Sequence, residues 1–421
     1  MAQFGVVGDG GAAFRELLEG ARRYGAGDFS RIAALTAQPT FCREAMEAHV
    51  RAAARQRFDW LLLVGEDERA AGDILAKVTP ALRIYDALWG GAAIAQQGSY
   101  PLRVEQVTRL AADDLASFFH AALAWWIGRS HFVRPALALE ALAQANGESW
   151  WADYLLHIWL SGRAMKTAQA LTVCAHSVTP MARHDRARLV EFLDENPVFV
   201  PVSHNAVTIR LPYTGRNRNV EREHMRGAFF ERMELAFLAD RLPKGMRVID
   251  AGANTGNHTA FFAAVMQAAV VVPIEPEPRA CRALRAAVRG NGLSNVDERL
   301  LGCGAGANAS RMAAVCDECA GLGGTRLVTD PSGAVLVAPL DTLWQEPIDF
   351  IKIDVEGMEM AVLRGAQGLI AQHRPYIFVE VLDDRVGGFV TWADANGYRI
   401  ERLFPDKQLC NYFLAPQERG Q

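Results

Sequence analysis

The chain has 421 residues, half of them hydrophobic, enough for two domains that each bury a core. Its 44 Lys and Arg nearly balance 48 Asp and Glu, a formal net charge of -4, which gives no footprint for nucleic acid or an anionic membrane. Seven cysteines, an odd number without scaffold-like spacing, argue against a disulfide framework and suit reduced thiols.

The start, Met1-Ala2-Gln3-Phe4-Gly5, lacks the basic and apolar regions of a secretory signal, so a cytoplasmic location is expected. The apolar stretch Leu115 to Gly128, broken by His120, is too short to span a bilayer and reads as a buried helix. Before it, Phe58-Asp59-Trp60-Leu61-Leu62-Leu63-Val64 is a buried strand leading into the acids Glu66-Asp67-Glu68. Asp86 to Ala92, Arg129 to Arg134 and the aromatic-rich Ser149 to Leu155 follow. That order is similar to inverting glycosyltransferases of the GT-A fold, over roughly residues 30 to 175. The resemblance implies a helix-rich α/β domain in which Asp67 and Glu68 hold Mg²⁺ or Mn²⁺ against a nucleotide sugar. Hard oxygen ligands suit such a cation. This chain departs from the pattern in lacking a clean Asp-x-Asp, in having Ala152 where a second acid is common, and in offering only Phe4-Gly5-Val6-Val7 as a first strand. The acids read equally well as a solvated turn. Trp89, Trp150 and Trp151 suit either a sugar platform or a core.

Seven of the nine tryptophans fall before residue 200, and Glu195-Asn196-Pro197 punctuates the change. The expected division is therefore a first domain over residues 1–190 and a second over residues 191–421. The segment Glu231 to Leu242, with Met233, Phe237 and Leu238, reads as a helix leading into a strand. Residues 248 to 259 read Val-Ile-Asp-Ala-Gly-Ala-Asn-Thr-Gly-Asn-His-Thr: a strand, an acid and a glycine turn opening a helix. Gly252 and Gly256 allow a tight turn and close approach of a ligand. A second strand, Val270 to Ile274, ends at Glu275, an acid placed to accept hydrogen bonds from ribose hydroxyls. The run is neither Gly-x-Gly-x-x-Gly nor a P-loop. It looks like the first motif of class I methyltransferases.

Further on, Asp349-Phe350-Ile351-Lys352-Ile353-Asp354-Val355-Glu356-Gly357-Met358-Glu359 continues into Val362-Leu363-Arg364-Gly365-Ala366. With Gly227-Ala228-Phe229-Phe230-Glu231, Pro339-Leu340-Asp341-Thr342-Leu343 and Ile377-Phe378-Val379-Glu380, this run resembles the FkbM family of O-methyltransferases. The resemblance covers roughly residues 195 to 415. It implies a Rossmann-like, seven-stranded, mostly parallel sheet, S-adenosylmethionine as cofactor, and a hydroxyl acceptor on a small molecule or glycan. Asp250, Gly252, Asn254, Gly256, His258 and Glu275 are then the cofactor-binding candidates, with Asn254 toward the methionyl carboxylate. Asp354 and Glu356 are the catalytic candidates. Glu359 is expected on a solvated helix face, Lys352 with its tip at a sheet edge, and Glu380 beside the acceptor or in a structural hydrogen bond. No ligand set accompanies Asp354 and Glu356, so methyl transfer is expected to need no metal. Residues 302–324 read as a loop-rich insertion, and Cys316 and Cys319 as a chance pair. The first domain either transfers a sugar itself or is a non-catalytic module that binds a glycan or partner.

Overall fold

The computed structural model describes residues 2–7, 29–34, 42–64, 68–70, 78, 80–94, 115–123, 127–174, 181–316 and 321–417. The chain divides into two compact units, Met1–Glu195 and Asn196–Gln421.

The first unit holds strands β1 (Ala2–Val7), β2 (Phe29–Ala34), β3 (Trp60–Leu63), β4 (Glu68–Ala70), β5 (Ala87–Ile94), β6 (Ile127–Val133) and β7 (Ala164–Cys174). They form one mixed sheet in the order β2-β1-β3-β6-β5-β7-β4. All four residues of β3 are buried, as a continuous apolar run between two covered faces requires. Helix Arg43–Arg55 buries Met46, Val50 and Ala53, a stripe at helical spacing. Leu115–Leu123 is a helix with Ala116 to Leu123 all buried. Trp89 is wholly buried and stacks on His131 at 4.4 Å between ring centres. The imidazole of His131 lies 2.8 Å from the Tyr154 hydroxyl. Trp89 and Trp151 are therefore core, not a sugar platform. Glu66 and Asp67 lie outside the described residues, as does the Glu68 side chain.

The second unit opens with a hairpin of β8 (Val198–His204) and β9 (Val207–Tyr213), whose turn residue Asn205 takes a φ of 51°. Then come β10 (Arg247–Ala251), β11 (Val270–Ile274), β12 (Cys303–Ala305), β13 (Ser310–Cys316), β14 (Thr325–Thr329), β15 (Val335–Ala338), β16 (Phe350–Ile353), β17 (Tyr376–Leu382), β18 (Tyr398–Asp406) and β19 (Leu409–Pro416). The main sheet runs β11-β10-β16-β17-β19-β18, with β19 alone antiparallel to its neighbours. Successive residues feed opposite faces. Val248, Val271, Phe350, Phe378 and Phe413 enter one core, and Ile249, Val272, Ile351, Ile377 and Leu414 the other.

Six strands, not the expected seven, make this sheet among the described residues. Where a seventh would lie beside β11, only isolated parallel bridges form, Val271 with Val296 and Glu275 with Leu301. Between Val271 and Glu275 stands Pro273, which has no N–H to donate. The passing chain lifts into a 3-10 turn, Glu298–Leu300, and returns at Gly302, whose N–H donates to the Glu275 carbonyl at 2.8 Å.

The segment expected to be loop-rich is instead largely structured. β12, β13, β14 and β15 form a four-stranded sheet in the order β12-β15-β13-β14. Its small interior is Met312, Val335 and Val337. Cys316 pairs with Thr325 across the β13–β14 hairpin, and its thiol donates to the Gly321 carbonyl at 3.1 Å. Cys319 lies outside the described residues.

Candidate active site

The order of the sheet reverses direction at β10: β11 lies on one side and β16 on the other. Crevices at such a switch point, beyond the carboxyl ends of the strands, are where open α/β sheets hold ligands. Acids stand at these ends. Glu275 follows β11, Asp354 follows β16, and Glu380 sits one residue beyond the Ile353–Val379 pair of β17.

The glycine turn is built for close packing. Gly252 has a φ of +80°, and a Cβ there would lie 1.6 Å from the Asp354 carbonyl oxygen. Its N–H donates to the Ile274 carbonyl at 2.9 Å. Asn254 takes a φ of 48°, unusual for a residue with a side chain. Its N–H donates to Glu275 Oε2 at 2.8 Å, while the Glu277 N–H donates to Oε1 at 2.8 Å. Glu275 is thus gripped by two backbone donors. Burial still pushes its pKa up to about 7, against the pull of those donors. Gly256, at φ +93°, packs on Leu284 rather than facing the cleft. The helix it opens is α over Asn257–Ala260 and continues as a π-helix over Phe261–Val265.

Asp250 lies beneath the turn and not in the cleft wall. It is wholly buried, accepts a hydrogen bond from the Thr259 hydroxyl at 2.6 Å, and lies 3.4 Å from Lys352 Nζ. Lys352 is not at an edge: it is 2 % exposed and sits in register beside Asp250 on the adjacent strand. Its ammonium donates to the Gly252 carbonyl at 2.9 Å and to Asp354 Oδ2 at 3.2 Å. Burial alone would lower its pKa, but the carboxylates of Asp354, Asp250 and Glu231 outweigh burial and raise it. One buried cation therefore ties the glycine turn to the strand that carries Asp354.

His258 lines the cleft, but its Nε2 is engaged at 3.0 Å by Glu231 Oε2. The other Glu231 oxygen accepts from Asn411 Nδ2 at 3.1 Å. Burial would raise the Glu231 pKa, yet His258, Lys352 and Asn411 together lower it. Glu231 has a φ of 55° and precedes helix Arg232–Arg241, whose buried residues are Leu235 and Leu238. Met233, one of the apolar residues that marked this helix, is 69 % exposed and lies on the rim of the cleft. Glu231 stood within a recognised run without a role; Lys352 and Asn411 carried no signal separating them from ordinary strand residues.

Glu356, in a left-handed turn with φ 50°, faces the cleft, and burial followed by the Asp354 charge raises its pKa to about 7. Burial, then Asp354, Glu231 and Glu356, raises Glu380 to about 9. Glu359 is not on a solvated face. It is 3 % exposed, accepts from the Gly357 N–H at 2.6 Å, and lies 3.6 Å from Arg385. Its work is to fold the loop that presents Glu356.

Two adjoining spaces result. A small cavity of about 60 Å³ is lined by Glu275 with apolar Ile274, Pro276, Leu322, Leu327, Val355 and Met358. A cleft of about 670 Å³ contains His258, Glu231, Glu380, Lys352 and Met233. Both are bounded by Gly252, Asn254, Gly323, Asp354 and Glu356. The larger volume is within the usual range for small-molecule sites. Among the described residues no group of three His, Cys, Asp or Glu side chains is arranged to hold a metal ion, and no helix is long and apolar enough to cross a membrane.

Residues 250–400 match the family described as the methyltransferase FkbM domain. The match marks this stretch as a methyltransferase domain. No curated protein matches the chain. Similar solved structures include a precorrin-6y C5,15-methyltransferase from Geobacter metallireducens, 13 % identical over 44 % of this chain and 89 % of that one, with a TM-score of 0.30. An rRNA methylase from Streptococcus thermophilus is 17 % identical over 45 % of this chain and 96 % of that one, with a TM-score of 0.31. A putative methyltransferase, yhhF, from Escherichia coli is 12 % identical over 52 % of this chain and 99 % of that one, also at 0.31. At that level of likeness, the function rests on the family match and on the site itself.

Proposed function

We propose that the second unit transfers a methyl group from S-adenosylmethionine to a hydroxyl of an uncharged sugar, glycan or related small molecule. The observation that carries the reading is the Glu275 carboxylate. Each of its oxygens accepts one backbone N–H and keeps a lone pair for a ribose hydroxyl. The apolar walls beside it suit an adenine ring. The residues at the turn fit the rest of the cofactor. Asn254 Oδ1 is buried without a hydrogen-bond partner among the described residues, an acceptor that suits the ammonium of the amino-acid end rather than its carboxylate. Of the cofactor candidates, Gly252, Asn254 and Glu275 face this space, Asp250 and Gly256 shape the turn from below, and His258 stands on the cleft side.

When bound, the sulfonium supplies a methyl group activated toward an oxygen nucleophile. Acids at the junction of the two spaces, Asp354 and Glu356, favour that positive charge. Lys352 fixes Asp354, so Glu356, with its pKa near neutrality, is the group suited to take the acceptor's proton. Seven acids line the cleft (Glu223, Glu231, Glu234, Asp354, Glu356, Glu380, Asp406) against Arg232, Arg326 and Lys352. That balance disfavours phosphate-bearing acceptors, nucleic acid among them. The apolar rim of Met233, Leu382, Pro405 and Leu409 suits the apolar face of a ring.

Incubation with S-adenosylmethionine and a panel of neutral glycans and polyols, read by mass, should show the gain of one methyl group. Glu356→Gln should lower kcat by about 100-fold while leaving the affinity for S-adenosylhomocysteine, whose sulfur carries no charge, intact. Methylation only of phosphorylated acceptors would refute the substrate assignment.

For the first unit we propose a glycosyltransferase-like role, with Asp67 and Glu68 toward Mg²⁺ or Mn²⁺ and a nucleotide sugar. Support comes from the mixed seven-stranded α/β sheet and from the acids that follow its buried strand β3. The alternative is a non-catalytic module that delivers a glycan. Asp67→Ala should abolish sugar transfer and leave methylation unchanged; sugar transfer that survives it would remove Asp67 from the site, and a parent that methylates without any sugar transfer leaves the delivery role.

A further inference from the structure

The segment between the β8–β9 hairpin and helix Arg218–His224 is folded around one carboxylate. Glu221, 3 % exposed, accepts at Oε1 from the Thr214 N–H at 2.6 Å, the Thr214 hydroxyl at 2.7 Å and the Gly215 N–H at 3.0 Å. Its Oε2 accepts from the Asn217 N–H at 3.3 Å. Four donors bent onto one acid fix the backbone of Asn217. The turn Gly321–Gly324 is clamped to the same segment: the Leu322 N–H donates to the Arg216 carbonyl at 3.0 Å, and a Cβ at Gly321 would lie 1.9 Å from that oxygen.

The side chain so placed is left unsatisfied. Asn217 is 2 % exposed and lines the cleft beside Asn254, and its Nδ2 has no hydrogen-bond partner among the described residues. Buried amides are rarely left so. Gly323 lies between the two asparagines: a Cβ there would be 3.3 Å from Asn217 Oδ1 and 3.7 Å from Asn254 Nδ2. Gly323 thus faces the Oδ1 of Asn217 and the Nδ2 of Asn254, while the other atom of each amide, a donor on Asn217 and an acceptor on Asn254, is the one without a partner among the described residues.

We infer that Asn217 is a cofactor-binding residue, whose side-chain N–H donates to the carboxylate of the amino-acid end of S-adenosylmethionine while Asn254 Oδ1 accepts from its ammonium. The inference rests on the cofactor reading above. Glu275 takes the ribose in the smaller space, so the amino-acid end extends past the glycine turn toward Asn217. A donor and an acceptor side by side match a zwitterion.

The test is calorimetric titration of the full chain with S-adenosylhomocysteine and with 5′-methylthioadenosine, which shares the adenosine and sulfur but lacks the amino-acid group. Asn217→Ala should weaken S-adenosylhomocysteine about tenfold, the worth of a hydrogen bond to a charged group. Asn217→Asp, which sets a carboxylate against a carboxylate, should weaken it further. Methylthioadenosine should bind both variants as it binds the parent, which also shows that the site is folded. Unchanged S-adenosylhomocysteine affinity in the two variants, or a parallel loss for both ligands, overturns the assignment. A parent chain that binds neither ligand overturns the cofactor reading itself, and this inference with it.

Discussion

Lys352 is the side chain on which most of the site depends. Its ammonium is buried between Asp250 and Asp354 and also holds the Gly252 carbonyl. Removing one partner of a buried pair leaves the other charge stranded, at about 3–5 kcal/mol. Lys352→Met should therefore destabilise the chain by about that amount in chemical unfolding, with the carboxylate of Asp250 left only its Thr259 contact. Stability within 1 kcal/mol of the parent, a margin well under that estimate, would show that the ammonium holds nothing. Titration gives a second test at this scale. Burial raises the folded-state pKa of Glu275 and Glu356 to about 7 and of Glu380 to about 9. Between the unfolded glutamate value and these figures the folded chain binds more protons than the unfolded one. Stability therefore falls as pH rises through that window. Glu380→Gln removes one such penalty. It should raise Tm at pH 8 and change it little near pH 4.5, where the glutamate is protonated in the folded chain. Equal Tm shifts at both pH values would argue against a buried, charge-crowded Glu380.

At the scale of elements, the turn after β10 separates two kinds of glycine. A Cβ on Gly252 would meet backbone, the Asp354 carbonyl, at 1.6 Å; on Gly256 it would meet the Leu284 side chain at 3.0 Å, which can yield. Gly252→Ala should thus abolish S-adenosylhomocysteine binding, and Gly256→Ala should keep it at reduced affinity, in the same titration. The reverse order would mean that the turn does not pack as described. The strands and helices of this unit were largely legible in the sequence. Val248 to Ala251, Val270 to Ile274 and Phe350 to Ile353 are apolar runs ended by acids or glycine, and the helix Pro278–Asn291 declares itself by Cys281, Leu284 and Val288. What was not legible depends on long-range pairing. Pro273 suppresses a seventh strand only because of which edge of β11 it faces. The Gly- and Ala-rich run after Gly302 becomes β12 and β13 only because β15 and β14 are there to pair with it. Glu359 looked solvated because helical periodicity says nothing about a neighbour such as Arg385, 26 residues on. The contribution of Asn217 could not be seen at all, since nothing in its local sequence marks a residue whose backbone N–H is held by Glu221 and whose side chain lies near the distant Gly323.

At the scale of the molecule, the two compact units meet in sequence at Glu195 and Asn196. Every residue assigned to the cofactor, from Asn217 to Glu275 and on to Glu356, belongs to the second unit. A fragment covering residues 196–421 should therefore fold and bind S-adenosylhomocysteine with the affinity of the whole chain. An insoluble or non-binding fragment would mean that the second unit depends on the first for its core.

The claim on which the rest depends is that the glycine turn and Glu275 hold S-adenosylmethionine, and its most direct test is a calorimetric titration of the whole chain and of Glu275→Ala. S-adenosylmethionine should bind the whole chain and NAD should not. Glu275→Ala should bind at least tenfold more weakly, from loss of charge-assisted bonds to the ribose. Affinity in the parent should fall as pH drops from 8 to 6, because protonating Glu275 removes an acceptor. Binding of NAD in place of S-adenosylmethionine, or an affinity indifferent to Glu275, would contradict the account.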